Sequence, residues 1–272
     1  LAEMGLTGAM VPTEHGGLGL SDVDVVAMLG EVGYAAVPLP VAATVAVAGP
    51  ALAAAGDLTG VLPDIAAGRR RVSLVNAGGL APYGRFADLF LFLADGAVRL
   101  ATRADVELTD VSTVDGSRAM VRVSGTGAVV TARPEELALA RDRATLAVAA
   151  ELVGLGRRML DLPVGYVSQR RQFGVPVGSF QAIKHRCADM LVAVEGARSA
   201  ALHAAAVADR PEGKDLAVAA SVAKLAASDA FWQAALDNMR THGGIGFTWE
   251  HDAHLYVRRA KTTQLMFGSP DT

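Results

Sequence analysis

The chain has 272 residues, of which 51% are hydrophobic and 5% aromatic, and its formal net charge is −3 at pH 7. This length can fill one large hydrophobic core or a few small ones, and abundant alanine with few aromatics favours packed helices over a β-sandwich. A net charge so close to zero excludes the strongly basic surface that attracts nucleic acid or anionic membranes, so we expect no nucleic-acid partner.

The residues that report on the cellular compartment point to a reducing environment. The single cysteine, Cys187, lies in a helical pattern and cannot form an internal disulfide, so we interpret it as a buried structural thiol. No apolar run reaches the roughly 20 residues of a membrane span, and the amino terminus lacks the layout of a signal peptide. We therefore expect a cytoplasmic protein with no membrane span. Position 1 is leucine rather than methionine, which indicates that residues precede this numbering.

The first predicted unit is an N-terminal helical domain, residues 1–60, that lacks part of its amino-terminal end. Ser21 is a candidate helix N-cap because the acids Asp22 and Asp24 follow it in the first turn, where they favour the helix dipole. The glycine-rich residues 16–19 lack the preceding strand and the following lysine of a phosphate-binding loop. We therefore interpret them as a turn.

The second predicted unit is a small antiparallel β domain, residues 68–133. Its short runs are rich in β-branched and aromatic residues and are separated by glycine and aspartate turns. Ala94-Asp95-Gly96 is typical of a β-hairpin. The predicted strands are residues 71–76, 89–93, 97–100 and 119–123.

The third predicted unit is a C-terminal four-helix bundle, residues 134–272. Apolar residues recur at three- and four-residue steps from 134 to 169, and the pattern resumes after Phe180. Pro211-Glu212-Gly213 marks the turn between the second and third helices. The third and fourth helices are predicted at about 216–239 and 250–266. The fold class is therefore α+β.

A chemically suggestive turn, Arg170-Arg171-Gln172-Phe173-Gly174, separates the first two bundle helices, and Gln181 follows it. A guanidinium, a planar ring and a carboxamide are the groups that hold a pyrophosphate bidentately, cover an aromatic heterocycle and read its edge. Taken alone, the pentapeptide is better explained as an ordinary interhelical turn, with arginine in solvent and phenylalanine in the core.

Three motifs together resemble the acyl-CoA dehydrogenase family. Residues 170–183 resemble R-x-x-F-G…F-Q-x-I, residues 241–248 resemble H-G-G-x-G-F-T, and residues 10–19 resemble V-P-E-x-x-G-G-x-G. Their order and spacing cover nearly the whole chain. The resemblance implies a helical segment, a β domain and a four-helix bundle, with FAD as cofactor. It also implies α,β-desaturation of an acyl-CoA thioester, with electron-transfer flavoprotein as electron acceptor.

The catalytic base of that family has no counterpart at the expected positions. In the family a glutamate removes the α-proton while the β-hydride passes to the flavin. The resemblance places this glutamate at the end of the bundle or on its first helix, where Phe267 and Ala144 stand here. Neither side chain can accept a proton. Glu151 lies two turns further along the first helix, and we interpret it as capping the helix or pairing with Arg157 or Arg158.

The two halves of the family's FAD site differ in how well they are retained. The T-E-P-x-x-G-S-D and W-I-T-N segments that surround the flavin ring are missing from the predicted β domain. The adenosine and pyrophosphate end is retained, and a glycine pair there lets backbone N–H groups approach the phosphates. The resemblance assigns this end to Arg170, Phe173, Gln181, Gly243, Gly244 and Arg240, the last of which replaces a glutamine.

The leading hypothesis is therefore a half-site subunit, like the non-catalytic subunits of actinobacterial heteromers that act on bulky acyl-CoA such as steroid side-chain thioesters. It would contribute the residues that bind the adenosine and pyrophosphate of an FAD shared with a catalytic acyl-CoA dehydrogenase subunit, in a heterodimer or heterotetramer. No catalytic residue and no metal ligand is assigned to this chain. Two alternatives stay open: a self-sufficient homo-oligomer with an unassigned base, and a flavin-free structural paralogue.

Overall fold

The computed structural model describes residues 1–57, 59–210 and 215–268. The predicted turn at Pro211-Glu212-Gly213 and the last four residues of the chain lie outside the described residues. Within the described ranges the chain forms helices, then two small sheets, then four long or medium helices. This order confirms the α+β class and the three-part layout expected from the sequence.

The N-terminal helical segment begins with α1 (Asp22–Tyr34), and the predicted N-cap is confirmed. The Ser21 hydroxyl accepts a hydrogen bond from the backbone N–H of Asp24, and the Asp24 carboxylate accepts one from the N–H of Ser21, which is a capping box. A π-helical stretch, Ala43–Ala48, leads into α2 (Gly49–Ala54), and α3 (Leu62–Ala66) follows.

Seven strands form two sheets in the described part of the chain between residues 72 and 131. One sheet has the order β1 (Val72–Val75), β3 (Leu89–Ala94), β4 (Ala97–Thr102), β7 (Ala128–Thr131). The other has the order β2 (Leu80–Pro82), β6 (Met120–Gly125), β5 (Val106–Val111). The hairpin predicted at Ala94-Asp95-Gly96 is confirmed, and Asp95 and Gly96 have the positive φ angles of a type I′ turn.

One strand pair corrects the antiparallel expectation. β1 and β3 pair in parallel, with Val72 opposite Leu89 and Val75 opposite Phe92, whereas the other pairs that the structure describes are antiparallel. The reason lies in the connection, because the chain leaves the first sheet after β1, adds β2 to the second sheet, and then returns in the original direction.

The C-terminal region contains α4 (Pro134–Gln169), α5 (Gln181–Ala208), α6 (Leu216–Thr241) and α7 (Ala253–Gln264). α4 packs against the other three, which confirms the predicted bundle, although α7 is shorter than expected. Alanines let the helices approach closely around a few large buried side chains, among them Phe231, Leu155 and Met159.

α1 packs on α4 through direct backbone contact. A Cβ atom added at Gly154 of α4 would lie 1.8 Å from the carbonyl oxygen of Gly30, and one at Gly33 of α1 would lie 2.1 Å from the carbonyl oxygen of Glu151. Both glycines are therefore required by the crossing of these helices. The crossing fixes α1 against the middle of α4.

By length and composition alone, one described helix could cross a membrane, which corrects the expectation that no stretch is apolar enough. This helix is α5, with 28 residues and a most apolar window that is 39% buried. α5 packs against α4 and α6, and core helices of packed bundles share its length and composition.

Candidate functional site

The six residues predicted to contact the phosphate end of FAD gather at one end of the bundle. The rings of Tyr166, in the last turn of α4, and His242, which follows α6, lie 4.5 Å apart. The rings of Phe173 and Phe180 lie 6.2 Å apart, edge to face, and join the turn after α4 to the start of α5. The carboxyl ends of α4 and α6 therefore meet the amino end of α5.

The turn after α4 is a small strained hairpin. β8 (Arg171–Gln172) and β9 (Val175–Pro176) pair through a turn at Phe173 and Gly174, whose φ angles are +53° and +82°. Left-handed backbone is unfavourable for a bulky residue such as phenylalanine, and Phe173 is 90% exposed. The structure therefore contradicts the alternative in which this ring fills the core. Residues held on strained backbone recur at ligand-binding sites in proteins.

Arg170 and Gln181 present polar side chains to solvent at the same end. Arg170 directly follows α4, and its backbone carbonyl accepts a 2.7 Å hydrogen bond from Val177, which anchors the loop while the guanidinium stays exposed. Gln181 is the first residue of α5, and its Nε2 lies 3.0 Å from His185 Nε2. Both groups are in reach of a ligand from outside the chain.

Arg240 differs from the other predicted contacts because its guanidinium already has a partner. It lies 3.3 Å from the carboxylate of Asp237, a buried residue one turn earlier on α6. Asp237 also faces Arg186 of α5 at 3.6 Å. This buried carboxylate was not identified from the sequence, and it orients Arg240 along the end of the bundle.

The glycine pair lies in open space. Gly243 has a φ of +67°, and a Cβ added at Gly243 or Gly244 would meet no atom within 4 Å. Gly246 is different, because its Cβ would lie 2.2 Å from the carbonyl oxygen of Met239. Packing inside the chain explains glycine at 246 but not at 244, so the structure leaves room for an external group against the Gly244 backbone.

A cavity of about 40 Å³, partly open to solvent, lies between the N-terminal helical segment, the first strands and α4. Ala144 and Phe267, at the two positions expected to carry the base, both line it. Phe267 has a φ of +56°. The buried Lys224 ammonium donates to the carbonyl oxygens of Gln264 and Gly268, on either side of Phe267, and burial lowers the pKa of Lys224 to about 8.

Glu151 lines the same cavity, which the sequence did not suggest. It is only 8% exposed, and the expected pairing with Arg157 or Arg158 is wrong. Arg157 instead forms a 2.8 Å ion pair with Glu31, and Arg158 donates to the hydroxyl of Tyr34 at 3.4 Å. Glu151, seven positions after Ala144, shares its helix face and lines the cavity with it, whereas the long side chains of Arg157 and Arg158 reach Glu31 and Tyr34 of α1 instead.

The charges near Glu151 come from distant parts of the chain. Burial raises the pKa of the Glu151 carboxyl, and the guanidinium groups of Arg118 and Arg259 oppose that shift. Both arginines are buried and donate to the hydroxyl of Tyr83, Arg118 at 3.4 Å. Arg118 also donates to Thr263 of α7 at 2.9 Å. Helical spacing from Ala144 could have identified Glu151, but no local pattern marks Arg118, Arg259 or Tyr83.

The loop after β1, where the resemblance places the family's flavin-ring motif, is held by hydrogen bonds between its own residues. The side-chain oxygen of Asn76 accepts hydrogen bonds from the N–H groups of Gly78 and Leu80, both at 2.9 Å. Ser73 of β1 donates to the carbonyl oxygen of Pro82 at 2.6 Å. Over the residues that the structure describes, no cluster of three or more His, Cys, Asp or Glu side chains could hold a metal ion.

Comparison with known proteins identifies the class to which this fold and site belong. Residues 1–68 match the acyl-CoA dehydrogenase N-terminal domain, and residues 115–272 match the acyl-CoA dehydrogenase C-terminal domain. The second match alone covers more than half of the chain. The chain belongs to the acyl-CoA dehydrogenase family.

Among individual proteins, the chain is similar to two acyl-CoA dehydrogenases of Mycobacterium tuberculosis. It is 39% identical to FadE34 over 96% of this chain but only 38% of that relative, and 35% identical to IpdE2 over 98% of this chain and 80% of that relative. In structure it is similar to the ChsE4–ChsE5 complex of Mycobacterium tuberculosis, with 25% identity, a TM-score of 0.84, and coverage of 100% of this chain and 83% of that chain.

Proposed function

We propose that the chain is a subunit of an FAD-dependent acyl-CoA dehydrogenase that holds the adenosine and pyrophosphate end of an FAD at a subunit interface. A partner chain holds the flavin ring and supplies the catalytic glutamate for that site. The observation that carries the proposal is the exposure of Arg170, Phe173 and the Gly243–Gly244 pair. Packing within the described part of the chain does not explain these residues.

The distance along α4 supports two separate flavin molecules rather than one within this chain. The cavity meets α4 near Glu151, whereas the predicted pyrophosphate contact, Arg170, follows the end of the same helix. At an axial rise of 1.5 Å per residue these positions are about 28 Å apart. The short ribityl chain between a flavin ring and its pyrophosphate cannot span that distance, so a ring near this cavity belongs to another FAD.

Each predicted residue has a distinct role toward the bound FAD, which supplies the hydride acceptor when present. The planar guanidinium of Arg170 binds two oxygens of the pyrophosphate, and the exposed ring of Phe173 covers an aromatic portion of the FAD. The side-chain amide of Gln181 hydrogen-bonds the edge of a ring of the FAD, and the backbone N–H groups of Gly243 and Gly244 approach its phosphates. Arg240, oriented by Asp237, adds positive charge beside them.

Exposed apolar side chains surround this end of the bundle and support an interface with another protein chain. Trp249 is 75% exposed and Phe247 64% exposed, close in sequence to the glycine pair. Monomeric proteins rarely expose large contiguous apolar patches, and aromatic residues are enriched where proteins associate. The proposed partner is a catalytic acyl-CoA dehydrogenase subunit, and the similar ChsE4–ChsE5 structure is itself a complex of two proteins.

The remaining parts of the proposal follow from the family. The substrate of the assembled enzyme is an acyl-CoA thioester, and the resemblance to actinobacterial heteromers favours a bulky acyl group such as a steroid side chain. Electron-transfer flavoprotein accepts the electrons, and the enzyme works in the cytoplasm as a heterodimer or heterotetramer.

The test is the visible spectrum of the chain expressed alone and together with the acyl-CoA dehydrogenase-like protein that co-purifies with it. Flavin absorbance only after co-expression, with one FAD for each pair of unlike chains, is the expected result. Stoichiometric FAD and dehydrogenase turnover in the chain alone would instead establish the self-sufficient enzyme. Colourless protein in both preparations would establish the flavin-free paralogue.

The glycine pair gives a second expected result. Gly244→Ala should change the free energy of unfolding by no more than about 0.5 kcal/mol, because its Cβ enters open space, yet the complex should retain less FAD. Gly246→Ala is the matched control and should cost about 1–3 kcal/mol, because its Cβ meets a backbone carbonyl. Chemical denaturation and the ratio of flavin to protein absorbance measure the two effects. Undiminished FAD in the Gly244→Ala complex would contradict the backbone contact.

A further inference from the structure

We propose that the rings of His242 and His251, the histidine pair, form a proton-sensitive contact that holds the glycine-rich segment between them, residues 243–250. Uptake of a proton by His251 separates the two rings and releases the start of α7, so the protein holds this segment less firmly in acid. The consequence for FAD rests on the proposed function, because the segment carries the Gly243–Gly244 pair. The contact itself is a property of this chain alone.

The histidine pair joins three elements at the end of the bundle. The buried ring of His242 lies 4.5 Å from the ring of Tyr166 on α4 and 4.3 Å from the ring of His251. His242 directly follows α6, and His251 lies two positions before the first residue of α7. The segment between them therefore has both of its ends fixed by one row of three rings.

Backbone hydrogen bonds determine which nitrogen of each ring carries a hydrogen. His242 Nδ1 lies 2.8 Å from the carbonyl oxygen of Asn238, which can only accept, so this nitrogen carries a hydrogen. His251 Nδ1 accepts a 3.1 Å hydrogen bond from the N–H of Ala253, so the hydrogen of this ring is on Nε2. A second proton on His251 has to bind Nδ1, and it removes the acceptor for Ala253.

Loss of that acceptor matters because Ala253 is the first residue of α7. Asp252, which precedes the helix, forms no side-chain cap, so the ring of His251 satisfies an N–H of the first turn that has no partner inside the helix. The helix dipole also opposes a positive charge at a helix amino terminus. Protonation of His251 therefore costs a hydrogen bond and adds repulsion at the same place.

The environment of His242 determines the direction of the pH effect. Burial lowers the pKa of His242, the hydrogen bond to the carbonyl of Asn238 opposes that shift, and the neighbouring His251 adds to it. A histidine released from these contacts has a pKa of about 6.5. The closed arrangement therefore binds fewer protons than the released one. Its stability is fully present above about pH 6.5 and falls as the pH drops below that value.

The charged groups around the histidine pair do not offset this effect. Besides Tyr166 of α4, the neighbouring ionisable side chains are Asp237 and Arg240 of α6, and Glu250, Asp252, His254 and Arg258 around the start of α7. Asp237 and Arg240 pair with each other, and the guanidinium of Arg258 lies 4.5 Å from the ring of Trp249. Glu250 and Asp252 are exposed, so water and salt screen their charges. Among the described residues, neither histidine forms an ion pair with a carboxylate.

The first test is solution NMR of the full FAD-free chain. At about pH 7.5, above the usual pKa of histidine, His251 should carry its hydrogen on Nε2 and His242 on Nδ1. At about pH 5.5 the protection of the Ala253 amide against hydrogen exchange should be about tenfold lower, the effect of a pKa difference of one unit. A hydrogen on His251 Nδ1 at the higher pH, or unchanged protection of Ala253, would overturn the proposal without any variant.

His251→Asn is the informative substitution. The side-chain oxygen of asparagine can accept the same hydrogen bond at the start of α7 but cannot take up a proton, so the acid-induced loss of protection should disappear. The matched control is His203→Asn, which changes an exposed histidine near the far end of α5 and should titrate like the wild-type chain. An equal loss of protection in His251→Asn and wild type would show that another group titrates, and it overturns the proposal.

The second test uses the complex with the partner subunit. The wild-type complex should retain FAD about tenfold more weakly at the lower pH, whereas the His251→Asn complex should retain it equally at both. The ratio of flavin to protein absorbance after gel filtration measures the difference, and an equal loss in both complexes would overturn the effect on FAD. If no preparation binds FAD, the proposed function fails, and the NMR result alone decides whether the histidine pair is proton-sensitive.

Discussion

An Arg170→Lys variant should still assemble with its partner subunit but retain FAD at least about tenfold more weakly, which corresponds to roughly 1.4 kcal/mol. Lysine keeps the positive charge but loses the planar fork that binds two pyrophosphate oxygens at once. The loop should stay in place, because Arg170 anchors it through a backbone hydrogen bond to Val177 rather than through its side chain. Flavin absorbance relative to protein, before and after extended gel filtration, measures the loss.

The matched control is Arg198→Lys. Arg198 is also exposed on a bundle helix, but its guanidinium pairs with Glu195 on the same helix at 2.7 Å. FAD retention should therefore stay at the wild-type level. If Arg170→Lys also retained all of its FAD, Arg170 would be an ordinary surface residue, and the pyrophosphate contact would have to be removed from the proposed function.

Gly154→Ala should destabilise the chain by at least about 2 kcal/mol, because overpacking of this kind cannot be relieved by rotating a side chain. Its Cβ would lie 1.8 Å from the Gly30 carbonyl oxygen and 2.7 Å from the Tyr34 nitrogen, both backbone atoms of α1. α1 must therefore move away from α4. Since the same crossing places Gly33 against the backbone of Glu151, the wall of the cavity should loosen as well.

Gly165→Ala on the same helix is the control for that result. A Cβ at Gly165 would meet no atom within 4 Å, so the substitution should stabilise the chain by up to about 1 kcal/mol through better helix propensity. Urea denaturation of both variants gives the two free energies of unfolding. Equal and small effects would mean that the α1–α4 crossing is looser than the structure describes.

Features set by neighbouring residues were predictable from the sequence. The capping box at Ser21, the hairpin at Asp95 and Gly96, and the apolar period of α4 each depend on contacts between residues a few positions apart. The family motifs are also local in sequence. They predicted Arg170, Phe173 and the glycine pair as FAD contacts, and they placed Phe267 and Ala144 at the positions expected for the base. Their binding of FAD remains a prediction.

Other features could not be read from neighbouring residues. The strain and exposure of Phe173 depend on the hairpin, and the partner of Arg240 depends on where Asp237 is buried. The parallel pairing of β1 and β3 depends on the excursion of the chain through the second sheet. The backbone strain at Phe173, the partner of Arg240 and the parallel strand pair were missed or wrongly expected, whereas the exposure of Phe173 contradicts only the core-filling alternative. A side chain's environment is set by the elements packed around it.

The sequence by itself determined the family, the order of helices and strands, and the absence of a carboxylate at both expected base positions, because these depend on residue identity and short-range periodicity. Only the tertiary structure decided that Glu151 faces the cavity and lies among charges from Arg118 and Arg259. Those residues are far apart in the chain. Burial and electrostatic interaction act through space, so their effect on a carboxylate emerges only when the helices and sheets are packed together.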